Sequence, residues 1–463
     1  MSLRSSWALS FLLLAGCGGG GGGESPTPPA ANVPAAVPSN PAAPADPLPD
    51  AGNPQQAACS ASAQRESLRS YMDDQYLFPV RAGEPQAASL DGYFQSLLDK
   101  PADRFSYSEP TAAYEQTFIL GRRIGYGYTL VWADAARTVL KVRQVEPQGP
   151  AARAGLKRGD VIVAIDGQPP ARVAAGFPAP VGVPDVPREF RVRDAAGQER
   201  VLAARSQEYA LTAVPASRTF DVMQGTESVK VGYLAYQQFA TYGFIELGDA
   251  IRSFGAVGAR ELVLDLRYNG GGSVNAARDL ASMVGGALTA GEMFADLRFN
   301  SRHPEQNLSI RYATIPQALP APPLEGLKRV VVITSAATAS ASELVINGLR
   351  PFMPVVLVGE TTFGKPYGFA PRQACGTTFN AVNFEAVNAK GVGGFTAGFA
   401  PDCPVADDLD RPLGDPQEAR TRAALYYIAN GRCESAAPQS APQAPARHAP
   451  VYGETVRPRM FLD

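Results

Sequence analysis

Arg329-Val330-Val331-Val332-Ile333-Thr334-Ser335-Ala336-Ala337-Thr338-Ala339-Ser340-Ala341-Ser342-Glu343-Leu344 is the stretch on which the reading of the fold turns. Arg329 to Thr334 is a short apolar run rich in β-branched residues, the mark of a strand buried on both faces. The small-residue loop Ser335 to Ala339 then leads into a helix that begins near Ala341 and runs to Leu349. Ser340-Ala341-Ser342-Glu343 fits a capping box, with Ser340 as N-cap and Glu343 at N3. A serine at such a strand-to-helix junction also stands above the sheet beside the unpaired amides of the helix N-terminus, which can stabilise an oxyanion. Val355 to Gly359 is the next buried strand, and Gly364-Lys365-Pro366 follows it, the lysine 25 residues after Ser340. That pairing points to a serine nucleophile whose base is an amine.

The chain owns two histidines, His303 in the polar run Asn300 to Asn307 and His448 in a Pro/Ala-rich tail. Neither position offers an imidazole held rigidly beside a nucleophile, as a Ser-His-Asp arrangement requires. A His-rich metal site is equally poorly supplied, and neither a metal nor an organic cofactor is expected.

With 463 residues the chain exceeds what one core usually holds, so two or three folded units are expected. A formal charge of -2 gives no basic footprint and argues against nucleic acid as a partner. At the N-terminus Arg4 precedes the apolar run Trp7 to Leu14, far shorter than the ~20 residues that span a bilayer, so residues 1–16 read as a cleaved signal segment. Leu14-Ala15-Gly16-Cys17 resembles the lipobox of bacterial lipoproteins. That resemblance implies acylation of Cys17, a membrane anchor and a periplasm-facing chain, and Gly18 after the cysteine resembles outer-membrane sorting. Residues 17–57 are Gly- and Pro-rich with almost no large apolar content, and are expected to be a disordered tether. Residues 434–463 are expected to be a disordered Pro/Ala-rich tail.

Cys59, Cys375, Cys403 and Cys433 remain, an even number in an exported chain, which favours disulfides and allows three connectivities. Cys375 and Cys403 bracket one loop-rich segment, while Cys59 and Cys433 stand at the two ends of the folded region. The expected pairing is therefore Cys375 with Cys403 and Cys59 with Cys433.

Residues 58–117 carry helical periodicity, with Leu68, Tyr71, Met72 and Tyr76 on one face and a second helix around Leu90 to Leu98. From 118 to 207 the signals change to short strands and tight turns. The run Val145-Glu146-Pro147-Gln148-Gly149-Pro150-Ala151-Ala152-Arg153-Ala154-Gly155-Leu156 continues as Lys157-Arg158-Gly159-Asp160-Val161-Ile162-Val163-Ala164-Ile165-Asp166-Gly167 and resembles a PDZ domain. PDZ domains add a peptide C-terminus as a strand to a sheet edge and hold its carboxylate with amides of a Gly-containing loop. Gly125-Tyr126-Gly127-Tyr128 sits where that family places the loop, so Tyr126, Gly127 and Tyr128 are the peptide-binding candidates.

Residues 208–433 alternate strands and helices, a sheet covered by helices. Within them Ser340-Ala341-Ser342-Glu343, the strand ending Val358-Gly359-Glu360 and Thr362-Phe363-Gly364-Lys365 resemble the C-terminal processing, or tail-specific, serine proteases. The strand and turn Val263-Leu264-Asp265-Leu266-Arg267-Tyr268-Asn269-Gly270-Gly271-Gly272 resembles that family's other signature. The resemblance implies an α/β multidomain chain: a small helical N-terminal element, a β-rich α+β PDZ domain and a crotonase/Clp-like α/β protease core. It further implies Ser340 as nucleophile, Lys365 as general base, and an oxyanion hole from the amide of Ala341 with that of Gly270 or Gly271. Polypeptides with free C-termini are the implied substrates; the oligomeric state is left open.

A lysine base must be neutral, so its reference pKa of about 10.4 has to fall by some 2 to 3 units. Burial beneath Phe363, Tyr367 and Phe369 is the expected lever. Many family members carry a glutamine four residues after the lysine, where this chain has Phe369, which cannot hydrogen-bond the amine. That departure keeps open a catalytically impaired, PDZ-bearing lipoprotein that binds protein tails without cleaving them, and a related hydrolase acting on esters.

Overall fold

This computed structural model describes residues 59–176, 182–314 and 319–435, with backbone strands at 452–453 and 459–461. The signal segment, Cys17 and the tether lie outside the described residues.

The first two helices begin at serines whose side chains cap the first turn, as short hydroxyl side chains at N-cap positions do. Helix α1 (Ala61–Gln75) starts after Ser60, whose Oγ accepts from Ala63 N–H at 3.4 Å, and α2 (Leu90–Leu97) after Ser89, whose Oγ accepts from Gly92 N–H at 2.9 Å. Leu68, Tyr71 and Met72 of α1 and Tyr93, Phe94 and Leu97 of α2 recur at helical spacing and are buried. They pack on Phe369, Phe379 and Val382 from far downstream, so this element is fastened to the C-terminal half. Tyr76 closes it by donating to Asp103 Oδ2 at 2.6 Å. Strand β1 (Tyr107–Pro110) and helix α3 (Thr111–Phe118) lead out of it.

The next unit comprises β2 (Arg122–Gly125), β3 (Tyr128–Trp132), β4 (Leu140–Val145), α4 (Pro150–Arg153), β5 (Val161–Ile165), α5 (Pro170–Ala174), β6 (Pro187–Arg193), β7 (Glu199–Arg205) and β8 (Gln207–Ala210). Strands β3 to β7 form an antiparallel sheet in sequence order, and β2 pairs with β8. β6 alternates strictly between exposed and buried residues, turning Phe190 and Val192 onto Leu130, Leu140, Val142 and Ile162.

Strands β9 (Ala216–Gln224), β10 (Glu227–Ala235), β11 (Glu261–Asp265), β15 (Val330–Thr334), β16 (Val355–Gly359) and β21 (Cys403–Pro404) make the central sheet in the order β21-β16-β15-β11-β10-β9. All its pairs are parallel except β9 with β10. Every residue of β11 and β15 is buried, because helices cover both faces. Helices α6 (Phe244–Ala256), α7 (Val274–Gly285) and α8 (Ala341–Leu349) line one face, and α9 (Ala419–Asn430) the other.

A second sheet, ordered β12-β23-β17-β20-β13-β14, is built from β12 (Gly271–Ser273), β13 (Met293–Phe299), β14 (Leu308–Arg311), β17 (Tyr367–Phe369), β20 (Val382–Val387) and β23 (Arg459–Phe461). Strands β18 (Arg372–Ala374) and β19 (Thr377–Asn380) form a hairpin that pairs with β1, and β22 (Tyr452–Gly453) joins the edge of β3. The segment read from composition as a disordered tail thus contributes two strands. Its last twelve residues, Tyr452 to Asp463, leave the Pro/Ala pattern and bring in Tyr452, Val456, Met460, Phe461 and Leu462.

The disulfides correct the expected pairing. Cys59 bonds Cys375 and Cys403 bonds Cys433, with Cα–Cα separations of 5.6 and 5.4 Å. Cys375 occupies the turn of the β18–β19 hairpin, and that hairpin lies against α1, where Arg372 also donates to Ser67 Oγ at 3.0 Å. β21 is laid parallel on the edge of β16, and α9, ended by left-handed Gly431, returns Cys433 to it. Proximity along the chain misled because both partners were set by sheet order.

Candidate active site

Three loops meet at the ends of parallel strands: the turn after β11, the elbow between β15 and α8, and the segment between β16 and β17. In the elbow, Ser335 N–H donates to Thr338 Oγ1 at 2.9 Å and Thr338 Oγ1 donates to Leu266 O at 2.8 Å, tying it to the first loop. Phe363 N–H donates to Thr338 O at 2.9 Å, tying it to the third. Ser340 leaves the elbow at φ 64°, ψ -116°, a conformation that costs a non-glycine residue about 1–3 kcal/mol and clusters at functional sites.

Glu343 holds this geometry. Its Oε2 accepts from Ser340 N–H at 2.8 Å and from Lys365 N–H at 2.9 Å, while Oε1 accepts from Gly364 N–H at 2.7 Å and Thr362 Oγ1 at 2.6 Å. One fully buried carboxylate therefore fixes the backbones of both residues singled out from the sequence. Burial pushes the Glu343 carboxyl above its ordinary range, and the hydrogen bonds from Thr362, Lys365, Ser340 and Gly364 act against that rise. The sequence signal for Glu343 was its place in the capping box, a local role that hides its longer-range one. Ser340 Oγ takes the other half of the box, facing the Glu343 N–H, but it is buried and makes no hydrogen bond of normal geometry, either there or with Lys365.

The lysine is 1% exposed. Its Nζ stands 3.6 Å from the centre of the Phe369 ring, so the residue that replaces the glutamine meets the amine by its π face. Gly364, at φ 85°, admits no side chain, because a Cβ would lie 2.3 Å from Thr396 O. Arg104 of the N-terminal element covers this loop, donating to Phe363 O at 3.0 Å and stacking on the Phe363 ring at 4.6 Å. Nothing in the sequence marked Arg104.

The glycine turn is tied to the same elbow. Asn269 O accepts from Ala339 N–H at 3.1 Å and from Ser342 Oγ at 3.0 Å, and Asn269 Nδ2 donates to Tyr236 O at 2.9 Å. Gly271 N–H donates to Asn269 Oδ1 at 2.8 Å and is thus committed within the turn. Gly270 N–H makes no hydrogen bond to a described residue, which separates the two glycines the sequence left open. At Gly272 a Cβ would meet Phe239 O at 1.9 Å, so only glycine passes.

Behind the turn lies a buried charge network. Arg267 pairs with Asp265 at 2.8 Å and with Glu418 at 2.7 Å, and Arg158 of the preceding unit donates to Tyr268 Oη at 2.7 Å. Burial would raise the Glu418 carboxyl, but Arg267 outweighs it and holds the group at about 2, below its ordinary 4.5. A depressed folded value means stability that is complete above about pH 4.5 and lost as the pH falls toward 2, worth about 3 kcal/mol in all. Urea unfolding at a series of pH values is expected to show this acid loss, and Glu418→Gln to flatten it. Equal slopes for both proteins would remove Glu418 from the account.

Tyr126 and Tyr128, taken from the sequence as peptide-binding, turn their side chains into the core of their unit. Tyr126 Oη donates to Val186 O at 3.0 Å, and both rings pack against Phe190. Gly127, at φ 77°, makes the turn, and what this region presents is backbone: the turn and the edge of β3. His303 lies at the N-terminal element, 2.7 Å from Asp74 and 2.9 Å from Glu305. No helix among the described residues is long and apolar enough to cross a membrane.

A serine at a strained strand-to-helix elbow, a buried lysine and a glycine turn are thus joined through Glu343 and Asn269, next to an antiparallel sheet of the preceding unit. Residues 230–405 match the sequence model of peptidase family S41, and residues 141–174 that of the PDZ domain. A carboxyl-terminal-processing protease of Picosynechococcus sp. is 28% identical over 288 residues, covering 60% of this chain and 63% of that one. A chloroplastic C-terminal processing peptidase of Tetradesmus obliquus is 26% identical over 288 residues, covering 58% and 57%. The chain thus spans less than two thirds of the length of these relatives. A solved Bacteroides fragilis chain described as an S41 protease shares the fold, with a TM-score of 0.64 at 24% identity, covering 78% of this chain and 96% of that one. The chain thus carries a peptidase family S41 region at residues 230–405 and a PDZ region at residues 141–174.

Proposed function

We propose that this chain is a serine endopeptidase of the bacterial cell envelope that cleaves polypeptides near their C-termini. Ser340 Oγ attacks the scissile carbonyl carbon as Lys365 Nζ takes its proton, and the carbonyl electrons move onto oxygen. The amides of Ala341, at the first turn of α8, and Gly270 receive that oxyanion. Collapse breaks the C–N bond, the leaving amine takes the proton from Lys365, and an acyl-serine remains. Water, deprotonated by the now neutral lysine, hydrolyses the ester and frees Ser340. The observation that carries this reading is the Glu343 carboxylate, which accepts from the backbones of both Ser340 and Lys365.

The PDZ unit supplies a sheet edge, β3, to which an extended chain can be added, with the Gly125–Tyr128 turn at its end. Cys17, in its lipobox-like setting, would carry the lipid that keeps the enzyme at the membrane, facing the periplasm.

Phe369 favours a second reading, a binder of protein tails with little turnover, because a ring face stabilises an ammonium while a base must be neutral. If Lys365 is the base, Phe369→Leu removes that stabilisation, and the acid limb of the kcat/KM–pH profile moves to lower pH. An unchanged limb would take the ring out of the account of the base. Mass spectrometry of products from peptides and matched esters tests the reaction itself. Internal cleavage of peptides, absent in Ser340→Ala, is the expected result; ester hydrolysis alone, or no turnover, would overturn the peptidase reading.

A further inference from the structure

The sheet that frames the site is completed by the chain's own C-terminal end. β23 lies between β12 and β17, parallel to both: Gly271 is opposite Arg459, Gly272 opposite Met460, Ser273 opposite Phe461, and Phe369 also opposite Phe461. β12 follows the Gly270 turn and β17 begins two residues after Lys365, so β23 occupies the gap between the two halves of the site. A second segment of the same tail, β22, is antiparallel to β3, with Tyr452 opposite Leu130 and Gly453 opposite Thr129. Its direction carries the chain toward the Gly125–Tyr128 turn. Without these two strands, β3, β12 and β17 would each present an unpaired edge.

Two further observations agree. Tyr452 to Asp463 differs in composition from the Pro/Ala-rich run before it, which is suited to a tether with a ligand at its end. With the tail in place, Ser340 Oγ is buried and not hydrogen-bonded to Lys365, an arrangement that is not poised for attack.

We propose that the tail strands Tyr452–Gly453 and Arg459–Phe461 are intramolecular ligands of the peptide groove, which lie on the PDZ edge and in the catalytic cleft in cis and must leave before a substrate enters. The inference rests on reading the cleft as a peptidase site. It also defines how a substrate is held: the PDZ edge grips an extended segment through its backbone, as it holds Tyr452–Gly453. The cleft then takes the residues that begin six positions further along, at Arg459. Recognition is through backbone ladders, which asks for an extended, proline-poor segment at the two gripped stretches.

A tethered segment has an effective concentration of about 1 mM, so a tail that binds in trans with a Kd of about 0.1 mM would fill the groove in roughly nine molecules of ten. A chain ending at Ala449 should therefore show a KM about tenfold lower with kcat little changed. Independently of activity, hydrogen exchange should speed up at Thr129, Leu130 and the β12 amides on truncation, and added Tyr452–Asp463 peptide should restore protection to the truncated Ser340→Ala protein but not bind full-length Ser340→Ala. Unchanged exchange at β3 and β12, or equal peptide binding by both, overturns the inference while leaving the peptidase reading intact. Exchange that responds to truncation in a protein that cleaves nothing keeps the tail as ligand and removes the peptidase reading instead.

Discussion

Ser340→Ala and Lys365→Ala are each expected to lower kcat/KM for peptide cleavage by at least about 10³-fold, with urea midpoints close to that of the parent. The two losses should not add: the double variant is expected to be little worse than either single one, because nucleophile and base act in one step. Ser340 Oγ makes no hydrogen bond of normal geometry, so its removal strands no partner and the fold should be indifferent to it. A Ser340→Ala protein that still cleaves at the parental rate would end the assignment.

Glu343→Ala is expected to damage both stability and activity, and more than its surface-like place in a capping box would predict. It strands four buried donors at once, the amides of Ser340, Gly364 and Lys365 and the hydroxyl of Thr362. Removing the acceptor from such a set costs about 3–5 kcal/mol, against about 1 kcal/mol for an ordinary exposed cap. Because the same oxygen positions Ser340 and Lys365, kcat should fall about 10²-fold or more even where the protein is fully folded. A loss of stability near 1 kcal/mol with kcat intact would reduce Glu343 to a cap.

Much of the central sheet was legible because its strands are buried on both faces and so appear as unbroken apolar runs, Arg329 to Thr334 and Val355 to Gly359 among them. The PDZ unit was legible through its turn chemistry around Gly149, Gly155 and Gly159. Interactions set by tertiary order were not. The cysteine partners depend on where β18 and β21 join their sheets, and the reach of Arg104 over Phe363 depends on how the N-terminal helices dock. Glu343 illustrates the limit most clearly, since i to i+3 spacing reveals its bond to Ser340 but not its bond to an amide 22 residues away. The two short strands of the tail were hidden for a different reason: averaging over 434–463 let the Pro/Ala run mask the apolar residues after Tyr452.

Reaction with an acylating fluorophosphonate, followed by peptide mapping, tests the central claim most directly, because it reports an activated serine whatever the natural substrate is. The account predicts a single adduct on Ser340, formed faster as pH rises, slower in the full chain than in the chain ending at Ala449, and absent in Lys365→Ala. Labelling that spares Ser340 in both the full and the shortened chain, or that proceeds unchanged without Lys365, would contradict it.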